Sequence, residues 1–318
     1  MATIGSPALW AAFIAFVLLM LALDLGVFHR KSHVVGFKEA AIWSGVWVSL
    51  ALLFGGWIFL EYGSVQGTEY LTGYLIEKSL SIDNIFVFVM IFGALGIPAL
   101  YQHRVLFWGI LTALVLRAVM IFAGAAAIER FHWLIYVFGG FLVLTGLKMF
   151  LARGKVERPE DSKLLAWARR AIPSTPRLDG ERFFTREAGR RVATPLFLAL
   201  LLVELSDVLF AVDSIPAIFA ITTDPFIVFT SNIFAILGLR SLFFMLAGLV
   251  DRFRYLKVGL AAVLVFVGAK MLVMDLFKVP AAVSLAVILG ILGASVWASL
   301  AASRREAATA RAAAPGSP

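Results

Sequence analysis

Three carboxylates and a proline lie inside one apolar run of membrane-spanning length: Glu204, Asp207 and Asp213, followed by Pro216. A carboxylate at bilayer depth costs about 2.5 kcal/mol or more, so an acid kept there points to a functional site. A second pair, Glu77 and Asp83, repeats the spacing of Asp207 and Asp213, and Asn84 and Ser214 directly follow the two aspartates. The chain has no cysteine, and its four histidines fall at span ends. An oxygen-rich set without sulfur or imidazole suits a hard divalent cation such as Mn²⁺, Ca²⁺ or Mg²⁺.

Helical residues advance about 100° each, which puts the two members of each pair about 120° apart. They cannot share one narrow face of an unbroken helix. Pro216 lacks an N–H, leaves the Val212 carbonyl unbonded and disfavours helical geometry at Ile215. The expectation is a kink or short unwound piece near 212–216, whose carbonyls join the carboxylates as ligands. Arg117 and Arg240 fall at mid-span, the latter with Asn232 in the same span. A guanidinium stays charged and needs a buried partner, so both arginines are expected to pair with the acids. Five acids against two arginines leave a formal −3, or −2 if Lys78 faces inward. Lys148 and Lys270 lie near span ends, where they can snorkel. Asp24, in the last turn of the first span, reads as a vestibule acid or an interfacial residue.

The elements that must position these groups follow from composition. Of 318 residues 61% are hydrophobic and 15% charged, with mean hydropathy +0.94. Repeated apolar runs near 20 residues give an all-α membrane protein of nine transmembrane helices. These run about 8–28, 41–60, 70–93, 105–127, 132–151, 194–222, 227–250, 256–276 and 280–302. Residues 1–302 form one polytopic domain, and 303–318 read as a disordered tail. The segment 152–193 carries eleven Lys/Arg and six Asp/Glu. In it Leu164, Leu165, Trp167 and Ile172 are spaced for one face of a short interfacial helix. The net +8 sits mostly in alternate loops. That is the positive-inside pattern, with an outside N-terminus and cytoplasmic C-terminus, and no sign of a nucleic-acid partner. No base precedes the first run, which argues for a retained first span.

Spans three to five (repeat one, 70–151) match spans six to eight (repeat two, 194–276). Asp83-Asn84-Ile85 aligns with Asp213-Ser214-Ile215, and Glu77 with Asp207. Leu116-Arg117-Ala118 aligns with Leu239-Arg240-Ser241, and the run Leu142–Met149 with Leu264–Met271. Each unit has three spans, an odd number, so the copies are inverted. Polar groups at matching depths in inverted units mark a transporter with its site between the copies.

The sequence resembles the TerC family of integral membrane proteins. The likeness rests on Glu77-x5-Asp83-Asn84, Ala193-Thr194-Pro195-Leu196-Phe197, Glu204-x2-Asp207, the run Phe210–Ala217, the run Thr230–Arg240 and Gly268-x-Lys270-Met271. The resemblance implies a fold related to LysE-type exporters, an inner-membrane location and a link to manganese efflux, to metal supply for exported enzymes and, by name, to tellurite resistance. It also implies that Glu77, Asp83, Glu204, Asp207 and Asp213 serve transport. The expectation is proton-coupled export of Mn²⁺, carried as cargo with no resident cofactor, in a lipid bilayer. The alternatives are a non-transporting scaffold or assembly factor docking through 152–193, and an indirect tellurite-resistance role. No nucleophile–base pair or phosphate-binding loop appears, so no enzyme is expected; oligomeric state is left open.

Overall fold

The structure, a computed structural model, describes residues 3–23, 35–151, 170, 172–187, 189–247, 255–277 and 279–313; of Leu23, Asp83 and 304–313 it describes the backbone only. The helices are α1 (Pro7–Leu23), α2 (Phe37–Tyr62), α3 (Ser64–Ala94), α4 (Ala99–Arg130) and α5 (Leu134–Leu151). A hairpin of β1 (Phe184–Glu187) and β2 (Arg190–Ala193) follows. Then come α6 (Pro195–Phe219), α7 (Pro225–Leu237), α8 (Leu239–Leu246), α9 (Leu256–Leu272) and α10 (Ala281–Ala313). Among the described residues six stretches are long and apolar enough to cross a membrane: α2, α4, α5, α6, α7 with α8, and α10 as far as Ser303. By contrast α1 and α9 have 17 residues each, short of the roughly 20 that an upright crossing needs. The long helix α3 carries Glu69, Glu77, Lys78 and Asp83. Length and composition thus support a mostly helical membrane protein, not the full count of nine crossings.

Local chemistry sets the helix boundaries. Gly63, at φ 98°, is the whole connection between α2 and α3, a left-handed position that suits a residue without Cβ. Glu61 and Glu69, expected in a loop here, are both helical. Pro195 and Pro225 open α6 and α7, and the Asp224 side chain caps α7 by accepting from the Phe226 and Ile227 amides.

Four sequence expectations are corrected. Helix α6 runs unbroken through 212–216. Pro216 lies in its last turn, so the single bond it forfeits, to the Val212 carbonyl, leaves the turns before it intact, and Ser214–Phe219 are all buried. The break occurs instead at Gly238, which splits the expected seventh span into α7 and α8. The segment before α6 contains a hairpin, turned at Gly189 with φ 75°; Leu164, Leu165 and Trp167 lie outside the described residues. Finally, α10 continues to Ala313 across the expected disordered tail, as the high helix propensity of its alanines allows.

Two apolar clusters make up the core. The larger holds Phe13, Tyr70, Ile76, Ile121, Ile215, Phe226 and Leu237, and the smaller holds Ile85, Phe92, Leu106, Leu202, Leu239 and Phe243. The seam between them crosses α3 between Ile76 and Ile85, α4 between Leu106 and Ile121, α6 between Val203 and Ala211, and the α7–α8 break at Gly238. The first three of these stretches carry Glu77, Lys78, Asp83, Arg117, Glu204 and Asp207.

Close packing fixes helix directions. A methyl group at Gly109 would sit 3.2 Å from Val203, and one at Gly124 would sit 3.0 Å from Phe219, so α4 and α6 run parallel. Gly73 abuts Ser231, and Lys78 bonds the Ala235 carbonyl, so α3 and α7 also run parallel. Helices α5 and α9 meet backbone to backbone. A methyl group at Gly146 would lie 2.7 Å from the Ala261 carbonyl oxygen, and one at Gly268 would lie 2.6 Å from that of Gly139. Small residues permit such approach, which is how apolar helices gain packing energy in lipid.

Candidate functional site

The seam holds one buried ion triad. Arg117 on α4 is 1% exposed, and it lies between Glu77 of α3 and Asp207 of α6. Its Nη1 donates to Glu77 Oε1 and lies 3.2 Å from Asn232 Oδ1 and 3.4 Å from Ser214 Oγ. Its Nη2 reaches Asp207 Oδ1 at 3.1 Å and its Nε reaches Asp207 Oδ2 at 3.4 Å. The second oxygen of Glu77 accepts from Asn232 Nδ2 at 3.1 Å. Every carboxylate oxygen of the pair therefore has a donor. The triad draws on α3, α4 and α6, with Asn232 of α7 bonded to it, and the planar guanidinium fork makes one residue sufficient to join the two acids. Desolvating three charges is expensive, and only this dense bonding offsets it.

The other predicted residues sit around the triad. Glu204 is three residues before Asp207 on α6, and both its oxygens are buried with no hydrogen-bond partner among the described residues. It faces Gly109 of α4, where a methyl group would be 3.9 Å from its Oε1, and Thr112 stands beside it. Asp213 points elsewhere, toward Thr145 and Lys148 of α5. The 120° separation expected on a regular helix holds, and the unwound segment that was to overcome it is absent. Asn84 is buried with its Oδ1 unpartnered among the described residues. Arg240 is buried on α8. Lys270 lies near Glu69, at the end of the bundle where Thr222 and Asp224 lie. Asp83 is on α3, its side chain undescribed, and Asp24 is outside the described residues. Among the described residues no three of His, Cys, Asp and Glu come close enough to hold a metal ion. Of the four acids whose side chains are described, Glu77 and Asp207 meet on Arg117, Glu204 lies one turn from Asp207, and Asp213 faces α5.

Sequence reasoning missed three neighbours of the charged groups, Thr112, Thr145 and Gly238. Thr112 and Thr145 supply hydroxyls beside Glu204 and Asp213; a threonine in an apolar helix gives little sign of its neighbours. Lys78 donates to the Ala235 carbonyl at 3.3 Å, near the C-terminal end of α7, where a cation is favoured. Gly238 makes room for it, since a methyl group there would lie 2.7 Å from Lys78 Nζ.

Comparison with known proteins agrees with this picture. Residues 62–307 match the model of the integral membrane protein TerC family. The chain is 70% identical, over 95% of both sequences, to an uncharacterized membrane protein of Myxococcus xanthus. It is 52% identical to a candidate membrane-bound redox modulator, Alx, of Escherichia coli K12, over 92% of this chain and 94% of that one. It is 44% identical to a membrane protein of Rickettsia bellii, over 92% and 96%. No solved structure gives a significant match. With its acids and arginine gathered inside a helical membrane bundle and the match spanning most of its length, the chain belongs to the TerC family of integral membrane proteins.

Proposed function

We propose that this protein exports a divalent metal cation, Mn²⁺ foremost, across the cell's inner membrane in exchange for protons. The observation that carries the reading is the meeting of Glu77 and Asp207 on one buried guanidinium. They come from corresponding positions of the two matched units, as an ion site between inverted repeats requires. The packing of α5 and α9 supports the inversion. In the alignment of Leu142–Met149 with Leu264–Met271, Gly146 matches Gly268, and in the same register Gly139 matches Ala261. The contact of Gly146 with Ala261 and that of Gly268 with Gly139 are then the same contact seen from each copy. Helix α3 lies along α7 as α6 lies along α4, which fits the same two-fold relation.

On this reading all nine spans, with α7 and α8 as one, cross or enter the bilayer, with the N-terminus outside and the C-terminus cytoplasmic. The ion path runs past Glu204, the Glu77–Asp207 pair, Asp83 and Asp213. Rocking of one unit against the other exposes the ion on alternate sides, and protons reaching the acids help release it.

Metal uptake into everted vesicles, with Mn²⁺, Ca²⁺ and Mg²⁺ at two pH values, tests the proposal. Uptake should depend on the pH gradient and collapse when Asp83→Asn and Asp213→Asn are combined. Equal Mn²⁺ flux in that double variant would remove these acids from the path. Absence of flux with every metal would leave the scaffold or indirect tellurite role. The redox name borne by the Alx relatives fits an indirect effect, because a chain without cysteine has no thiol couple of its own.

A further inference from the structure

Glu77 and Asp207 have no oxygen to spare for a cation as they stand. Arg117 and Asn232 occupy all four. A divalent ion can bind the pair only after the guanidinium leaves, and a guanidinium leaving two carboxylates inside a membrane needs another acceptor. The structure holds one. Glu204 lies on the same face of α6 as Asp207, about 4.5 Å along the axis, with both oxygens buried, the Thr112 hydroxyl beside them and no cationic partner among the described residues.

On α4 the row between the two stations is built of small residues. Helices α4 and α6 run parallel, so Glu204 lies toward the N-terminus of α4 from Arg117. Helical side chains lean in that direction. Behind Arg117 in the same i, i−4 row of α4 come Ala113 and then Gly109, two small residues, and Gly109 is the one facing Glu204 Oε1. On the α4 side the row offers no side chain larger than a methyl group, while Val203 of α6 packs against its Gly109 end.

Resting on the divalent-cation reading above, we propose that Arg117 is a tethered cation that exchanges stations. It neutralises Glu77 and Asp207 when no ion is bound, and it moves to Glu204 when a divalent cation takes the two acids. The charges close: Glu77, Asp207 and Glu204 with Arg117 sum to −2, which one divalent ion cancels, leaving a neutral metal site and a neutral Arg117–Glu204 pair. Return of the guanidinium then expels the ion. Glu204 is on this account a positioning residue for Arg117, not a ligand.

A double-mutant cycle on the full chain in detergent, read as free Mn²⁺ by electron paramagnetic resonance, separates the roles. Glu204→Gln should weaken Mn²⁺ binding about tenfold in the wild-type background. In an Arg117→Gln background, which itself should bind more tightly than wild type, the same change should cost less than about twofold. Arg117→Lys keeps one positive charge in the triad and serves if Arg117→Gln does not fold; there the cost of Glu204→Gln should fall to about threefold. An equal loss in every background makes Glu204 a ligand and overturns the exchange. Weaker binding by Arg117→Gln than by wild type overturns it as well. If neither wild type nor any variant binds Mn²⁺, the manganese reading itself fails and takes the exchange with it.

Discussion

Glu77 and Asp207 sit on different helices and share a single guanidinium, that of Arg117. Each acid depends on it for its charge to be tolerated at this depth. Arg117→Met strands both and should cost about 3–5 kcal/mol. Adding Asp207→Asn removes one stranded charge and should restore part of the loss. Thermal melting of the purified protein in detergent checks both changes; a lower melting temperature in the double variant than in Arg117→Met would show that charge is not the cause.

The α5–α9 contact predicts a matched pair. Gly146→Ala and Gly268→Ala each push a methyl group into a backbone carbonyl that cannot rotate away, so each should destabilise by about 1–3 kcal/mol. The two losses should be similar, because the contacts are equivalent. Gly140→Ala on the same helix has open space around it and should be neutral or gain up to about 1 kcal/mol from helix propensity. A comparable loss at Gly140 would mean that crowding is not what the melting curves report.

Lys78 and Gly238 predict coupling. Lys78→Met leaves the Ala235 carbonyl without its side-chain donor and should cost about 1–3 kcal/mol. Gly238→Ala displaces the same ammonium. Its penalty should therefore shrink in the Lys78→Met background, where no ammonium has to move. Equal penalties in both backgrounds would trace the effect of Gly238→Ala to Trp47, its other close neighbour.

The hairpin is held more by buried hydroxyls than by surface charge. Thr194, fully buried, donates to the Arg182 carbonyl at 2.7 Å, whereas the Arg104–Glu181 pair at 3.0 Å is about one-third exposed. Thr194→Val should cost about 1–3 kcal/mol by leaving that carbonyl unsatisfied. Glu181→Gln should cost under about 1 kcal/mol. Limited proteolysis of 172–193 should follow the same order.

The amino-acid sequence determined a helical membrane bundle, the helix starts at Pro195 and Asp224-Pro225, and the positions of the intramembrane charges. These are local or compositional properties: hydropathy runs, caps, and the cost of a charge in hydrocarbon. It also made Arg117 a partner of the acids, because a permanent charge cannot be buried alone. The tertiary structure decided which acids meet. Asp207 and Asp213 are six residues apart on one helix, yet one faces α4 and the other α5, since an unbroken α6 keeps them about 120° apart. The break fell at Gly238 and not at Pro216: Pro216 forfeits one bond close to the end of α6, whereas Gly238 clears space for an ammonium from another helix. The opening stretch of the sequence, Glu204 to Pro216, thus supplied the charges, and the packing of α4 against α6 decided that Asp207 would be paired and Glu204 left waiting.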